Sequence, residues 1–84
     1  MTSNICWGIF QKIGNEIYAL CGKYDPTPEW KNLKDPTLKY FISPFFSPVS
    51  AALYVERNNI SNYSINKFQV GVDINIEDVL SAFK

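Results

Sequence analysis

Two cysteines, Cys6 and Cys21, are the residues of this chain best equipped for chemistry. A thiol pair can cycle as a redox couple, close a disulfide or contribute soft metal ligands. Which of these is open depends on the element that carries them. If residues 3–22 form one helix, the two lie roughly 22 Å apart along its axis at 1.5 Å per residue. A disulfide needs Cα atoms within about 7 Å. If the stretch is a hairpin turning at Ile13-Gly14, positions that sum to 27 face each other, and the cysteines are directly opposite. The helix is the preferred reading, because the hairpin leaves apolar residues on both faces and has a poor turn sequence. It makes Cys6 and Cys21 buried, reduced core residues.

The carboxylates come next. Asp73, Glu77 and Asp78 lie close together, and grouped acids can bind a metal or do acid–base work. They also open a helix, where acids complement the positive end of the dipole, and that is the reading taken. The chain has no histidine, so it lacks the commonest general acid–base and the commonest zinc ligand. Two cysteines alone are too few soft ligands for structural zinc. Glycine-rich phosphate loops are absent. No catalytic residue, cofactor or metal site is assigned, and the chain is read as no enzyme.

Aromatic residues remain. Tyr40, Phe41, Phe45 and Phe46 cluster, and prolines bracket Phe45-Phe46, so one helical face cannot bury all four. They either cap the core or form an exposed patch that docks on a protein. Trp7 and Tyr18 share an edge of the first helix's apolar arc, and Trp30 lies on a short polar turn; tryptophan is enriched at interfaces. The partner-binding candidates are Trp7, Tyr18, Trp30, Phe45 and Phe46.

Charge argues against other partners. Eight basic and eight acidic residues cancel and form no blocks, so there is no electrostatic case for nucleic acid or an anionic membrane. No apolar run is long enough to span a bilayer, and the N-terminus lacks a signal-peptide pattern. These features point to the cytoplasm. With 84 residues, 46% of them hydrophobic and 15% aromatic, one domain covering 1–84 with a real core is expected.

The elements that position these residues are read from periodicity. At 100° per residue the apolar positions of 3–22 fill an arc of about 180°, too broad for a surface helix. Ser3 is its cap and Gly22 its left-handed stop. Capping residues precede proline at Asp25-Pro26, Thr27-Pro28, Asp35-Pro36, Ser43-Pro44 and Ser47-Pro48. Three of these read as helix starts, giving a short turn over 28–33 and helices over 36–42 and 48–57, the last ending at Asn58-Asn59. Strict alternation at Phe68, Val70, Val72 and Ile74 predicts a strand over 68–74, paired with 60–65 as a hairpin or with another chain. Asn75 caps a last short helix whose inward stripe is Ile76, Val79, Leu80 and Phe83, with Ile74 stapled to Val79.

The expected fold is a small, mostly helical α+β domain: a central N-terminal amphipathic helix, short proline-started helices, and a C-terminal hairpin or strand plus short helix. The leading functional expectation is a non-enzymatic protein–protein interaction module, such as a small inhibitor, immunity-type or adaptor protein of phage or bacterial origin. A homodimer assembled through strand 68–74 or helix 4–21 is the alternative. A small-ligand-binding protein or minor enzyme using Asp73, Glu77 or Cys6 ranks last.

Overall fold

The computed structural model describes residues 5–23 and 26–83. Its centre is a four-stranded antiparallel sheet in the order β3-β2-β1-β4. The strands are β1 (Ile5–Ile13), β2 (Glu16–Cys21), β3 (Glu29–Asn32) and β4 (Tyr63–Gln69). Three short helices cover it: α1 (Leu38–Phe41), α2 (Pro48–Arg57) and α3 (Ile76–Ser81). The expectation of a mostly helical fold is therefore overturned.

The largest correction is the N-terminal helix, which is the β1–β2 hairpin. Its turn is Gly14-Asn15, with Ile13 opposite Glu16 and Phe10 opposite Ala19. Gly14 has φ 62° and Asn15 does not share the positive φ, the pattern of a type II′ turn. Helix residues would have been interrupted by Gly8 and Gly14, each costing about 1 kcal/mol there. The segment is instead rich in isoleucine and aromatics, which favour strands.

The apolar arc was wide because this hairpin is covered on both faces. Cys6, Phe10, Ile17, Ala19 and Cys21 pack one face with Leu38, Ile42, Phe68 and Val79. Ile9 and Leu20 pack the other with Phe45, Ala51 and Val55. A strand buried twice reads as apolar in every direction and loses its period-two signature. Apolar residues on both faces, which weighed against a hairpin, are what this one has. Gly22 does adopt the left-handed φ, at 64°, but it ends a strand. Ser3, named as the helix cap, and Asp25 of the first capping pair lie outside the described residues.

Both cysteines are buried free thiols. Positions in the hairpin sum to 29, not 27, so Cys6 and Cys21 are not opposite. Cys6 pairs with Phe68 and Cys21 with Glu29. Burial pushes the Cys21 thiol up to about 11.

Further along, the expected turn over 28–33 is β3. The helix over 36–42 shortens to α1, because Asp35 Oδ1 accepts from Thr37 N and Oγ1 at 2.8 and 2.7 Å and holds a turn first. The expected strand 68–74 is shifted. β4 runs through Asn66-Lys67, the two residues between the expected partners 60–65 and 68–74, and pairs with β1 from Gln11↔Tyr63 to Ile5↔Gln69. It stops where Val72 N donates to Gln69 O at 3.1 Å and Gly71 takes φ 79°. Val70 and Val72 are exposed, so their alternation marks no buried face.

Two helices stand as read. Ser47 Oγ accepts from Ser50 N at 3.1 Å, Pro48 starts α2, and Asn59 with φ 53° follows its end. Asn75 Oδ1 accepts from Glu77 N and Asp78 N. Val79 is buried and Ile74 and Phe83 pack against the same core, but Ile76 and Leu80 are exposed.

Residues 42–45 form a wedge in the sheet, held by partners distant in sequence. β1 and β2 part beyond Phe10↔Ala19, and residues 42–45 enter the fork. Ser43 N donates to Leu20 O at 2.9 Å on the β2 side. Trp7 and Phe45 bond on the β1 side. Ser43 Oγ, buried, accepts from Lys23 N at 3.0 Å.

Candidate functional site

The wedge and α2 together form an open groove. Ala51 and Val55 turn α2 toward the sheet. That leaves Ser50, Leu53, Tyr54 and Arg57, spaced i, i+3, i+4 and i+7, on one flank of the helix. They form one wall, and Phe45, Phe46 and Lys23 form the other, around about 420 Å³. Phe45 is 5% exposed and belongs to the core, whereas Phe46, the next residue, is 86% exposed. Consecutive residues of an extended segment point to opposite sides, so seating Phe45 in the fork puts Phe46 outside. Leu53 is 48% exposed on the facing wall.

The floor is fixed by rings. Phe45 and Tyr54 meet edge to face, with centroids 5.5 Å apart and planes at 63°, a favoured aromatic geometry. The Lys23 ammonium sits 4.2 Å from the Phe45 ring centroid and donates to the Pro44 carbonyl. Desolvation raises the Tyr54 phenol above its ordinary range.

Among the described residues, the charged side chains that line the groove are Lys23 and Arg57. Arg57 enters none of the ion pairs among the described residues. It occupies the last turn of α2, where the helix dipole favours a cation. The walls thus offer apolar surface, ring edges and positive charge, a set suited to binding.

The five expected partner-binding residues separate. Phe45 and Phe46 reach the groove, one as floor and one as rim. Trp7 and Trp30 pack, half-buried, against the same core cluster as Phe45 but do not line the groove. Tyr18 lies in β2 opposite Gln11 and Asn32, away from it. Trp30 is on β3, not on a polar turn. Tyr40 and Phe41 are exposed on α1 beneath lysine ammoniums, Lys39 at 5.3 Å and Lys31 at 5.1 Å from the ring centroids. The aromatic cluster is therefore neither wholly core nor one patch.

Lys23, Ser50, Leu53, Tyr54 and Arg57 were missed. The signal for four of them was available, since a helix over 48–57 places 50, 53, 54 and 57 on one flank. Lys23 reaches the groove only through the long-range insertion of 42–45.

The acidic residues take structural roles. Asp73 pairs with Lys39 at 3.1 Å, which raises the Lys39 ammonium above its usual range through that hydrogen bond and charge. Glu77 and Asp78 are in the first turn of α3. Among the described residues no group of three or more His, Cys, Asp or Glu is placed to hold a metal ion. No helix of the described residues is long and apolar enough to cross a membrane. No protein-family model, curated protein or solved structure matches the chain.

Proposed function

We propose that this chain is a non-enzymatic protein-interaction module whose groove takes an apolar, acidic segment of another protein. The observation that carries the reading is Phe46, a phenylalanine 86% exposed beside the exposed Leu53, in a groove that Lys23 and Arg57 also line. Large apolar side chains rimmed by charge are what docking surfaces present. Cationic side chains in the walls favour acidic partners and speed their encounter. An inhibitor or adaptor acting in the cytoplasm fits this chemistry. Its two buried free thiols are in keeping with a reducing compartment.

A displayed library of random 12-residue peptides, selected on the intact chain, tests the reading. Enriched peptides should combine Asp or Glu with Leu, Phe or Trp, and should lose binding to Phe46→Asp and to Arg57→Glu. Failure of any peptide to enrich, or enrichment that both variants leave unchanged, would remove the groove as a docking site.

A further inference from the structure

β4 is an edge strand whose outer side is open, and its parity can be read from one bond. Lys12 N donates to Asn62 O at 3.0 Å, so Asn62 faces β1. Alternation then turns Ser64, Asn66 and Phe68 toward β1 as well. Tyr63, Ile65 and Lys67 turn their N–H and C=O groups outward, where among the described residues they find no backbone partner.

The two edges of the sheet differ. β3 is four residues long, follows Pro28 and carries Glu29 and Lys31. Shortness, proline and charge are the devices that keep an edge from pairing. β4 is seven residues long, has no proline, and pairs with β1 from Ile5 to Gln11 without a bulge. Only Lys67 protects it.

We propose that β4 joins β4 of a second copy of this chain, antiparallel about a twofold axis through Ile65, making one continuous eight-stranded sheet. In that register Ile65 faces Ile65 of the copy, and Tyr63 faces Lys67 of the copy on both sides of the axis. These three pairs are the outward ones, so each exchanges two backbone hydrogen bonds. No like charges stand directly opposite, and lysine meets a ring it can lie across. A twofold axis normal to the sheet keeps both copies of α2 on one face. The two grooves stay open, because Ser50, Leu53, Tyr54 and Arg57 belong to α2 and not to the strand edge. This assembly is independent of what the groove binds.

Sedimentation equilibrium of the full chain, from micromolar concentration to about 1 mM, reads the result. Wild type should be a dimer. Lys67→Pro should be a folded monomer, since it removes only an outward N–H, the position where an edge strand tolerates proline; near-UV circular dichroism checks the fold. Tyr63→Lys sets like charges opposite each other twice and should weaken the dimer about tenfold. Tyr63→Glu should tighten it by a similar factor. Phe46→Asp should leave it unchanged, which separates this result from the groove's. A monomer at the highest concentration overturns the proposal. So does a dimer that Lys67→Pro and the two Tyr63 variants do not move.

Discussion

Trp7 and Phe45 exchange two backbone hydrogen bonds of 2.8 Å, one in each direction. The pair closes the fork between β1 and β2 around residues 42–45. It fixes where the chain leaves the sheet, so that Ser47 and Pro48 start α2 directly over the face carrying Ile9 and Leu20. The groove exists because of this seat: one phenylalanine is locked inward and the next is forced out.

Adjacent residues should therefore give opposite results. Phe45→Ala empties a core site against Tyr54, Ile9 and Leu20 and should cost about 3–5 kcal/mol. That is a large share of what a domain this small holds. Phe46→Ala should change stability by less than about 0.5 kcal/mol while abolishing peptide selection. Urea denaturation followed by tryptophan fluorescence measures both; equal losses would mean that the segment is not seated as described.

Gly8 is the weak point of β1 for any larger residue. A Cβ there would lie 3.1 Å from Ile42 Cδ1, 3.2 Å from Phe68 Cδ1 and 3.3 Å from Phe10 Cε1. All three neighbours are buried, so none can move alone. Alanine is the better strand residue on backbone grounds, yet overpacking should outweigh that gain. Gly8→Ala should lose about 1 kcal/mol, and Gly8→Val about 2–3 kcal/mol. A Gly8→Ala variant more stable than wild type in thermal denaturation would show that the core relaxes freely.

Local signals were legible in the sequence and long-range ones were not. Ser47-Pro48 and Asn75 declared their helices, because a cap and an N1 proline act within one turn. Gly14-Asn15 is also a hairpin signal; the hairpin was weighed only with its turn one residue early, at Ile13-Gly14, and lost to an arc of apolar residues whose cause lay elsewhere. Whether Ile9 and Phe10 both face protein depends on α2 and α3, which lie far along the chain. The same blindness hid the groove. Its helical wall followed from spacing on α2, but its second wall needed the 42–45 insertion. The alternation at 68–74 misled for the reverse reason, since Gly71 breaks the strand before a second turn of the pattern can be buried.

Cys21 predicts a pH dependence. Its thiol ionises near 11 in the folded state because burial disfavours the thiolate, whereas an unfolded cysteine ionises at about 8.5. Below the unfolded value both states hold the proton and stability is unaffected. Above it the unfolded chain releases a proton that the folded chain keeps, so stability falls as pH rises toward 11. The loss should be on the order of 3 kcal/mol across that window. Urea titrations at pH 8 to 10.5 should show the decline, and Cys21→Ala should flatten it relative to wild type. An undiminished slope in that variant would assign the effect to other groups.

The cap of α2 gives a graded test of how firmly the groove is built. Ser47 Oγ takes the Ser50 N–H at 3.1 Å, one of the donors that the first turn cannot satisfy internally. Ser47→Ala removes that acceptor and should cost about 1 kcal/mol. Ser47→Gly leaves the turn open to water and should cost only a few tenths. Ser47→Asp keeps an acceptor and adds a negative charge at the positive end of the dipole, so it should equal or exceed wild type. Ser50 is both the capped residue and a wall of the groove. Peptide affinity in the uncharged series should consequently follow the same order, Ser above Gly above Ala. If stability follows that order and affinity does not, the first turn of α2 holds the fold but takes no part in docking, and the binding surface narrows to Phe46, Leu53, Tyr54 and Arg57.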